Sequence, residues 1–426
     1  MIKIITSRAG YGKTSSLYKE ILEKDKNAEV AYLMVPEQFT LQSELALMDK
    51  VDSKGLIYAQ VMSFERLSRL VLSRVGGLKR PYIDEIGKHM ALRLIFDKHE
   101  ESLPMYKTAY KKEGFLSELS HTLSELKKMA VPPSLLLDKS NQIENNALLK
   151  QKLFEIGFIY NEFLNYMQDQ YIDNEDRISL LAEKINLYKE ISNASFYFDS
   201  FTGFTALELS VIEQLAQMGT CLCFALTYDE ASADKDVFSP TSLTINQLKT
   251  IAKATGSEFE IEALVNESTK SKEIRYIEKA LYDYKAPSYK EEIKDVKLFE
   301  ALDMEKEAEH CALEVLSLVR DFGYRFKDIL IITPMPHLYA GPISRVFTSL
   351  EIPHFVDVKR DIMSSPLITL IFSYLDMHIK NLRYEDVFSF LKSGFTQLDE
   401  SQYMPLENFV LKWGIKGRMW LDENRF

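Results

Sequence analysis

Eight residues near the start of the chain, Ser7-Arg8-Ala9-Gly10-Tyr11-Gly12-Lys13-Thr14, constrain its fold more than any others. They follow the phosphate-loop pattern GxxxxGK(S/T), with Ser7 in place of the first glycine. The run Lys3 to Thr6 leads in as a strand, and Thr14 to Lys24 leads out with helical periodicity. That context aims the backbone N–H groups of the loop and of the helix start at a polyphosphate. Gly10 and Gly12 permit tight turns, Lys13 is placed to meet the β and γ phosphates as a point charge, and the Thr14 hydroxyl suits Mg²⁺. The competing reading is an ordinary glycine turn before a helix; the strand-loop-helix context favours nucleotide binding. For Tyr11 three roles stay open: stacking on a base, stacking on a neighbouring subunit, or plain exposure.

A phosphate loop needs a second element to hold the metal, normally an Asp at the end of a buried strand. Phe196-Tyr197-Phe198-Asp199 is the candidate, so Thr14 and Asp199 are expected to hold Mg²⁺, Asp199 through water. The alternative for Asp199 is a strand-end residue that caps the following turn. A hydrolysing motor usually carries a Glu directly after this Asp to position the attacking water, whereas here the next residue is Ser200. Efficient hydrolysis is therefore not expected, and no catalytic residue is assigned.

The first seventy-five residues alternate strand-like and helix-like runs, the rhythm of a parallel α/β sheet. From Tyr82 to Tyr188 the pattern turns to amphipathic helices, such as Phe115, Leu119, Leu123 and Leu126, and reads as a helical insertion. Ser195 to Phe198, Ala206 to Gln217 and Cys221 to Leu226 then restore the α/β alternation, and Ser257 to Ile293, dense in charge, reads as a linker. A second α/β unit is expected from the strand Val296 to Ala301, the helix Glu305 to Arg320, the strand Asp328 to Thr333, a helix near Ile343 to Leu350, and His354 to Val356. The expected boundaries are 1–80 and 191–290 for the first α/β domain with its linker, 81–190 for the insertion, 291–365 for the start of the second α/β domain, and 366–426 for a helical extension. The sequence stops there without a closing turn or cap, as expected of a fragment of a longer polypeptide.

With 46% hydrophobic and 12% aromatic residues over 426 positions, two or three packed domains are expected and dominant disorder is excluded. A net charge of −11 argues against a uniformly basic nucleic-acid coat but allows a local basic groove. The three cysteines, Cys221, Cys223 and Cys311, make neither a disulfide framework nor a CxxC zinc site, so a reducing cytoplasmic setting is expected. No signal peptide is read at the N-terminus. Pro366 to Ile379 is interrupted by Ser373, Asp376 and His378 and falls short of the ~18 apolar residues a membrane span needs.

Several segments together resemble the AddB subunit, also called RexB, of bacterial AddAB-type helicase-nucleases. They are Ser7 to Thr14, Val35 to Thr40, Ala59 to Leu67, Phe198 to Phe201, Gly323 to Asp328, Glu351 to Asp357, Tyr384 to Phe388 and Gly414 to Arg418. The resemblance implies a superfamily 1 helicase-like architecture: a RecA-like P-loop domain with a helical insertion, then the start of a second RecA-like domain. It implies an ATP-binding B-type subunit that has lost parts of its ATPase machinery and works with an A-type helicase-nuclease subunit on DNA ends in double-strand-break repair and recombination. Ile332-Thr333-Pro334 stands where active relatives often carry an Arg that reaches the γ phosphate. The family's nuclease domain and iron–sulfur cluster are expected beyond these residues.

The resemblance also puts Gln38, Phe39, Thr40, Ser63, Phe64 and Arg66 in segments that contact single-stranded DNA, where aromatic faces stack on bases. Phe39 and Phe64 also open amphipathic helices, so burial in the core is the competing expectation. Lys107, Lys111, Lys112, Lys127 and Lys128 suggest a basic face, but Glu113, Glu118 and Glu125 interleave with them, which reads as a solvated helix face. Cys221 and Cys223 alternate on a strand as small buried groups, and His310-Cys311 lacks a partner motif for a metal. Two other functions compete with a helicase-like scaffold: an autonomous DNA-dependent ATPase of superfamily 1, and a P-loop kinase for a small molecule, for which a lid-like Arg cluster is missing.

Overall fold

The computed structural model describes residues 1–421 apart from 52–54, 113, 169, 233–235, 265–269, 284, 359–361 and 364. It divides into two compact units, Met1–Val296 and Lys297–Phe426. The first is built on six strands, all parallel, in the order β3-β2-β4-β5-β1-β6. These are β1 (Ile2–Ser7), β2 (Ala31–Met34), β3 (Ala59–Met62), β4 (Ser195–Phe198), β5 (Cys221–Thr227) and β6 (Phe259–Ala263). Its helices are α1 (Lys13–Lys26), α2 (Thr40–Met48), α3 (Phe64–Val75), α4 (Glu85–His99), α5 (Phe115–Lys128), α6 (Pro133–Gln142), α7 (Ala147–Met167), α8 (Asn174–Lys184), α9 (Ala206–Gln217), α10 (Ser239–Thr255) and α11 (Lys272–Ala280).

The central strands are near-continuous apolar runs because both sheet faces are covered. Side chains alternate between two cores. Ile4, Met34, Phe196, Phe198 and Phe224 pack with Leu67 and Val71 of α3, Leu181 of α8, Ile212 of α9 and Leu248 of α10. Ile5, Leu33, Tyr197 and Cys223 pack on the other face with Leu17 and Ile21 of α1 and Leu47 of α2. Burial there pushes the Cys223 thiol up to about 12, so it acts as a small apolar group.

β6 corrects the linker expectation, since it pairs in register with β1, Ile4 opposite Ile261, and α11 follows it. Glu260 and Glu262 mark β6 as an edge strand and account for its linker-like charge density.

The helical insertion has a core of its own, with Leu92, Ile95, Phe96, Leu123, Ile159, Tyr160 and Phe163 at its centre. The chain enters and leaves it side by side: Ile83 N–H donates to the Ile172 carbonyl, and Ile172 N–H to that of Pro81, both at 3.0 Å. Leu181, Ile185 and Tyr188, placed in the insertion by sequence periodicity, belong instead to the core of the sheet, together with Ile191. At the root of the insertion lies a buried ion cluster. Lys127 Nζ donates to both Asp173 carboxylate oxygens at 2.8 and 2.7 Å and meets Asp176 at 2.7 Å, while Lys88 lies 3.4 Å from Glu175 and 3.7 Å from Asp173.

Lys107, Lys111 and Lys128 pair with Glu101, Glu100 and Glu125. With Lys127 buried, these positions form no continuous basic face; Glu113 lies outside the described residues.

The second unit contains α12 (Met304–Phe322), α13 (Pro336–Ser349), α14 (Pro366–Ile379), α15 (Tyr384–Leu391) and α16 (Glu400–Trp413). Ala312, Val315, Phe347 and Ile352 form one small core, and Phe388, Val410 and Ile415 another. The strands expected at 296–301, 328–333 and 354–356 are not formed: none of these segments pairs with another. A parallel strand is stabilised only by neighbours on its edges, and without them Leu298, Ile332 and Phe355 are left exposed. No helix among the described residues is long and apolar enough to cross a membrane.

Candidate nucleotide site

β1 runs between β5 and β6 and delivers Ser7 to the C-terminal edge of the sheet, where open parallel sheets bind ligands. Gly10 and Gly12 have φ of +86° and +89°, left-handed conformations that a side chain would strain. They fold the loop back so that α1 starts directly at Lys13, with no acidic residue in its first turn to compete for the free N–H groups. Lys13 Nζ donates to the carbonyls of Ser7 at 2.9 Å and Arg8 at 3.0 Å, and lies 3.4 Å from Ser7 Oγ. The ammonium thus spans the first turn of the loop. Its burial lowers the Lys13 pKa, opposed by the charges of Asp199 and Glu278. Ala9 and Gly10 are exposed, Tyr11 is half-buried, and the Arg8 guanidinium is turned toward Asp229 and Glu278.

Asp199 follows β4, which is separated from β1 by β5 alone, and is buried. Burial pushes its carboxyl up, partly offset by hydrogen bonds from the Thr14 hydroxyl and the Ser200 N–H and by the charge of Lys13. Thr14 and Asp199 therefore meet although 185 positions separate them in the sequence. A hydroxyl beside a carboxylate is the kind of hard oxygen donor pair Mg²⁺ accepts while keeping most of its waters, so the residues present fit that ion. Ser200 adopts φ +64°, unusual for a residue with a side chain, and this turn directs its N–H at Asp199.

The six DNA-contact candidates sit at the same edge of the sheet, after β2 and β3. Gln38 is exposed and Phe39 is partly buried against the α1 face. Thr40 is buried and donates to the Glu37 carbonyl at 2.9 Å. Ser63 caps α3 by accepting the Arg66 N–H at 3.1 Å and also donates to the Glu37 carboxylate. Phe64 corrects the base-stacking expectation: it is only 4% exposed, and its ring packs on Phe198, Phe201 and Phe204 at 6.2, 6.0 and 6.4 Å. Arg66 faces Glu44 and Glu37, which offset its charge. Sequence reasoning missed Glu37, Glu44, Asp229 and Glu278, because no motif spacing marks a carboxylate that pairs with a site residue from a distant element.

A family model described as "ADDB, N-terminal" matches residues 4–278. A protein of Alkaliphilus metalliredigens, named as the B-type subunit of an ATP-dependent helicase/deoxyribonuclease, is 38% identical over 429 residues, covering 99% of this chain and 37% of that protein. Proteins of the same name from Alkaliphilus oremlandii and Thermoanaerobacter sp. (strain X514) are 38% and 35% identical, over 98% and 100% of this chain. The chain thus spans 37% to 38% of the length of these relatives. With the family match running from β1 through most of α11, and with relatives similar along nearly its whole length, the chain belongs to the ADDB N-terminal family.

Proposed function

We propose that the chain is the helicase-like, nucleotide-binding part of the B-type subunit of an ATP-dependent helicase/deoxyribonuclease. It holds ATP and Mg²⁺ at Ser7–Thr14 and Asp199 and guides single-stranded DNA along the ends of β2 and β3. The observation that carries this reading is the convergence of Lys13, Thr14 and Asp199 at one edge of the parallel sheet. Loop and helix N–H groups receive the phosphates, Lys13 offsets their charge, and Thr14 and Asp199 hold the cation. When bound, Mg²⁺ would supply charge neutralisation for the polyphosphate.

With Ser200 after Asp199, no carboxylate follows in sequence to activate water, and turnover is slow. The motor is then an A-type partner, and the complex acts on DNA ends in the cytoplasm during break repair. The second unit is the start of a second RecA-like domain. Gln38 and the exposed parts of Phe39 and Arg66 are the groups through which DNA is met, while Thr40, Ser63 and Phe64 hold those segments in place from beneath.

Lys13→Ala tests the nucleotide reading. Losing a charge-assisted contact worth about 1.5–3 kcal/mol weakens ATP affinity by about 10- to 150-fold. The melting temperature stays close to wild type, because among the described residues the hydrogen bonds of Lys13 go to the loop's own carbonyls and Ser7 Oγ. Calorimetric titration of both proteins with ATP and Mg²⁺ checks this, and equal affinities would refute it.

A further inference from the structure

Arg8 lies inside the phosphate-loop motif, yet its side chain is committed elsewhere. Its Nε donates to both Glu278 carboxylate oxygens at 2.9 and 2.8 Å, its Nη2 to the Glu278 backbone carbonyl at 2.9 Å, and its Nη1 to Asp229 at 2.9 Å. The guanidinium also lies 5.3 Å from the Phe238 ring centroid. A planar, fixed set of donors used this fully transmits position in a way that a single flexible contact does not.

Glu278 belongs to α11, a helix that apolar packing holds only weakly. None of its described residues joins a hydrophobic core, and Ile274 and Ile277 are 40% and 37% exposed. Polar contacts hold it instead. Beyond Arg8, its buried Glu273 accepts the Lys294 N–H at 2.7 Å, Lys272 pairs with Glu291 at 3.0 Å, and the Tyr276 hydroxyl donates to the Pro287 carbonyl. One weakly packed helix is therefore gripped by the phosphate loop and itself grips residues 287–294, just before the second unit begins at Lys297.

We propose that Arg8, Asp229 and Glu278 form a latch through which nucleotide at the phosphate loop tightens α11 and, with it, the 287–294 segment. This rests on the nucleotide reading above. A polyphosphate seated on the loop N–H groups fixes the backbone that carries Arg8, and the ion pairs pass that order to α11. By linkage, breaking the pairs lowers nucleotide affinity by the factor the latch had contributed.

Hydrogen exchange of the intact chain, with and without ATPγS and Mg²⁺, tests the latch. In the wild type the nucleotide slows exchange of amides 273–281 by about fivefold or more. In Glu278→Gln that slowing disappears, and calorimetric affinity for ATPγS falls by about the same factor. Asp229→Asn shifts both readouts in the same direction, so the test does not depend on one variant folding. If ATPγS binds and amides 273–281 exchange unchanged or faster in the wild type, the latch is overturned and the nucleotide site stands. If ATPγS produces no heat of binding, the nucleotide reading falls and the latch with it.

Discussion

Phe64→Ala is expected to lower the stability of the first unit by about 3–5 kcal/mol, the usual cost of emptying a buried phenylalanine site. Affinity for single-stranded DNA is expected to stay unchanged at a temperature where the variant is folded. Phe64 begins α3 and is 4% exposed, within a group of rings that includes Phe198, Phe201 and Phe204. Its removal opens a cavity where the ends of β3 and β4 meet α3, and the neighbours that would have to collapse into it are rigid aromatics. A ring that stacked on a base would behave oppositely, costing about 1–3 kcal/mol of DNA affinity with little change in folding. Denaturant melts and an oligonucleotide titration at fixed salt separate these outcomes.

Asp173→Ala is expected to cost about 3–5 kcal/mol, because it removes the α8 cap together with one of the carboxylates that meet the buried Lys127 ammonium, the other being Asp176. Asp173 is 1% exposed, takes two bonds from Lys127, lies 3.7 Å from Lys88, and caps α8 by accepting the Asp176 N–H at 2.9 Å. Asp173→Asn loses the charge but keeps a cap acceptor, worth ~1 kcal/mol, so wild type against Asp173→Asn measures the charge and the difference between the two variants measures the cap. The pH dependence follows from opposite shifts. Burial pushes Asp173 up, but Lys127, the Asp176 N–H and Lys88 outweigh it and hold its carboxyl below the usual range. Asp176 is pushed up by burial and by the charge of Asp173. A depressed carboxyl contributes stability that is present above its unfolded pKa and lost as pH falls through the folded one; a raised carboxyl contributes the reverse. The gap between wild type and Asp173→Ala therefore narrows as pH falls below about 4, near the unfolded value for Asp. A gap that widens as pH falls below about 4, where Asp173 itself takes up its proton, would contradict the assignment.

The two cores explain which features were legible in the sequence. Ser7 to Thr14 is contiguous, so its pattern survives without knowledge of the fold, and Phe196 to Asp199 stands out as an apolar run ended by a carboxylate. The parallel sheet was legible from strand and helix alternation, but its strand order was not, because crossovers place β5 between β1 and β4. β6 was hidden because, as an edge strand paired on one side, it is mostly exposed and carries no apolar run, and Glu260 and Glu262 made it look like a linker.

Sequence periodicity also marked 296–301, 328–333 and 354–356 as strands. The segments carry the apolar residues a strand needs, but pairing depends on neighbours that lie elsewhere, so the pattern was present without the hydrogen bonds. For Phe64, base stacking and core packing call for the same residue type at the same place, and only burial decides between them. The carboxylates around Arg8 and Arg66 were illegible for another reason: each comes from a different element, and an ion pair leaves no periodic trace.

On the proposed reading, the lysine-bearing loop holds ATP but does not split it efficiently. The most direct test is a single-turnover experiment in which trace labelled ATP is mixed with excess chain, Mg²⁺ and single-stranded DNA, and bound nucleotide is separated from released phosphate. The expected result is label retained on the protein as intact ATP. Label that is never retained, or that leaves as phosphate in a way abolished by Lys13→Ala, would contradict it.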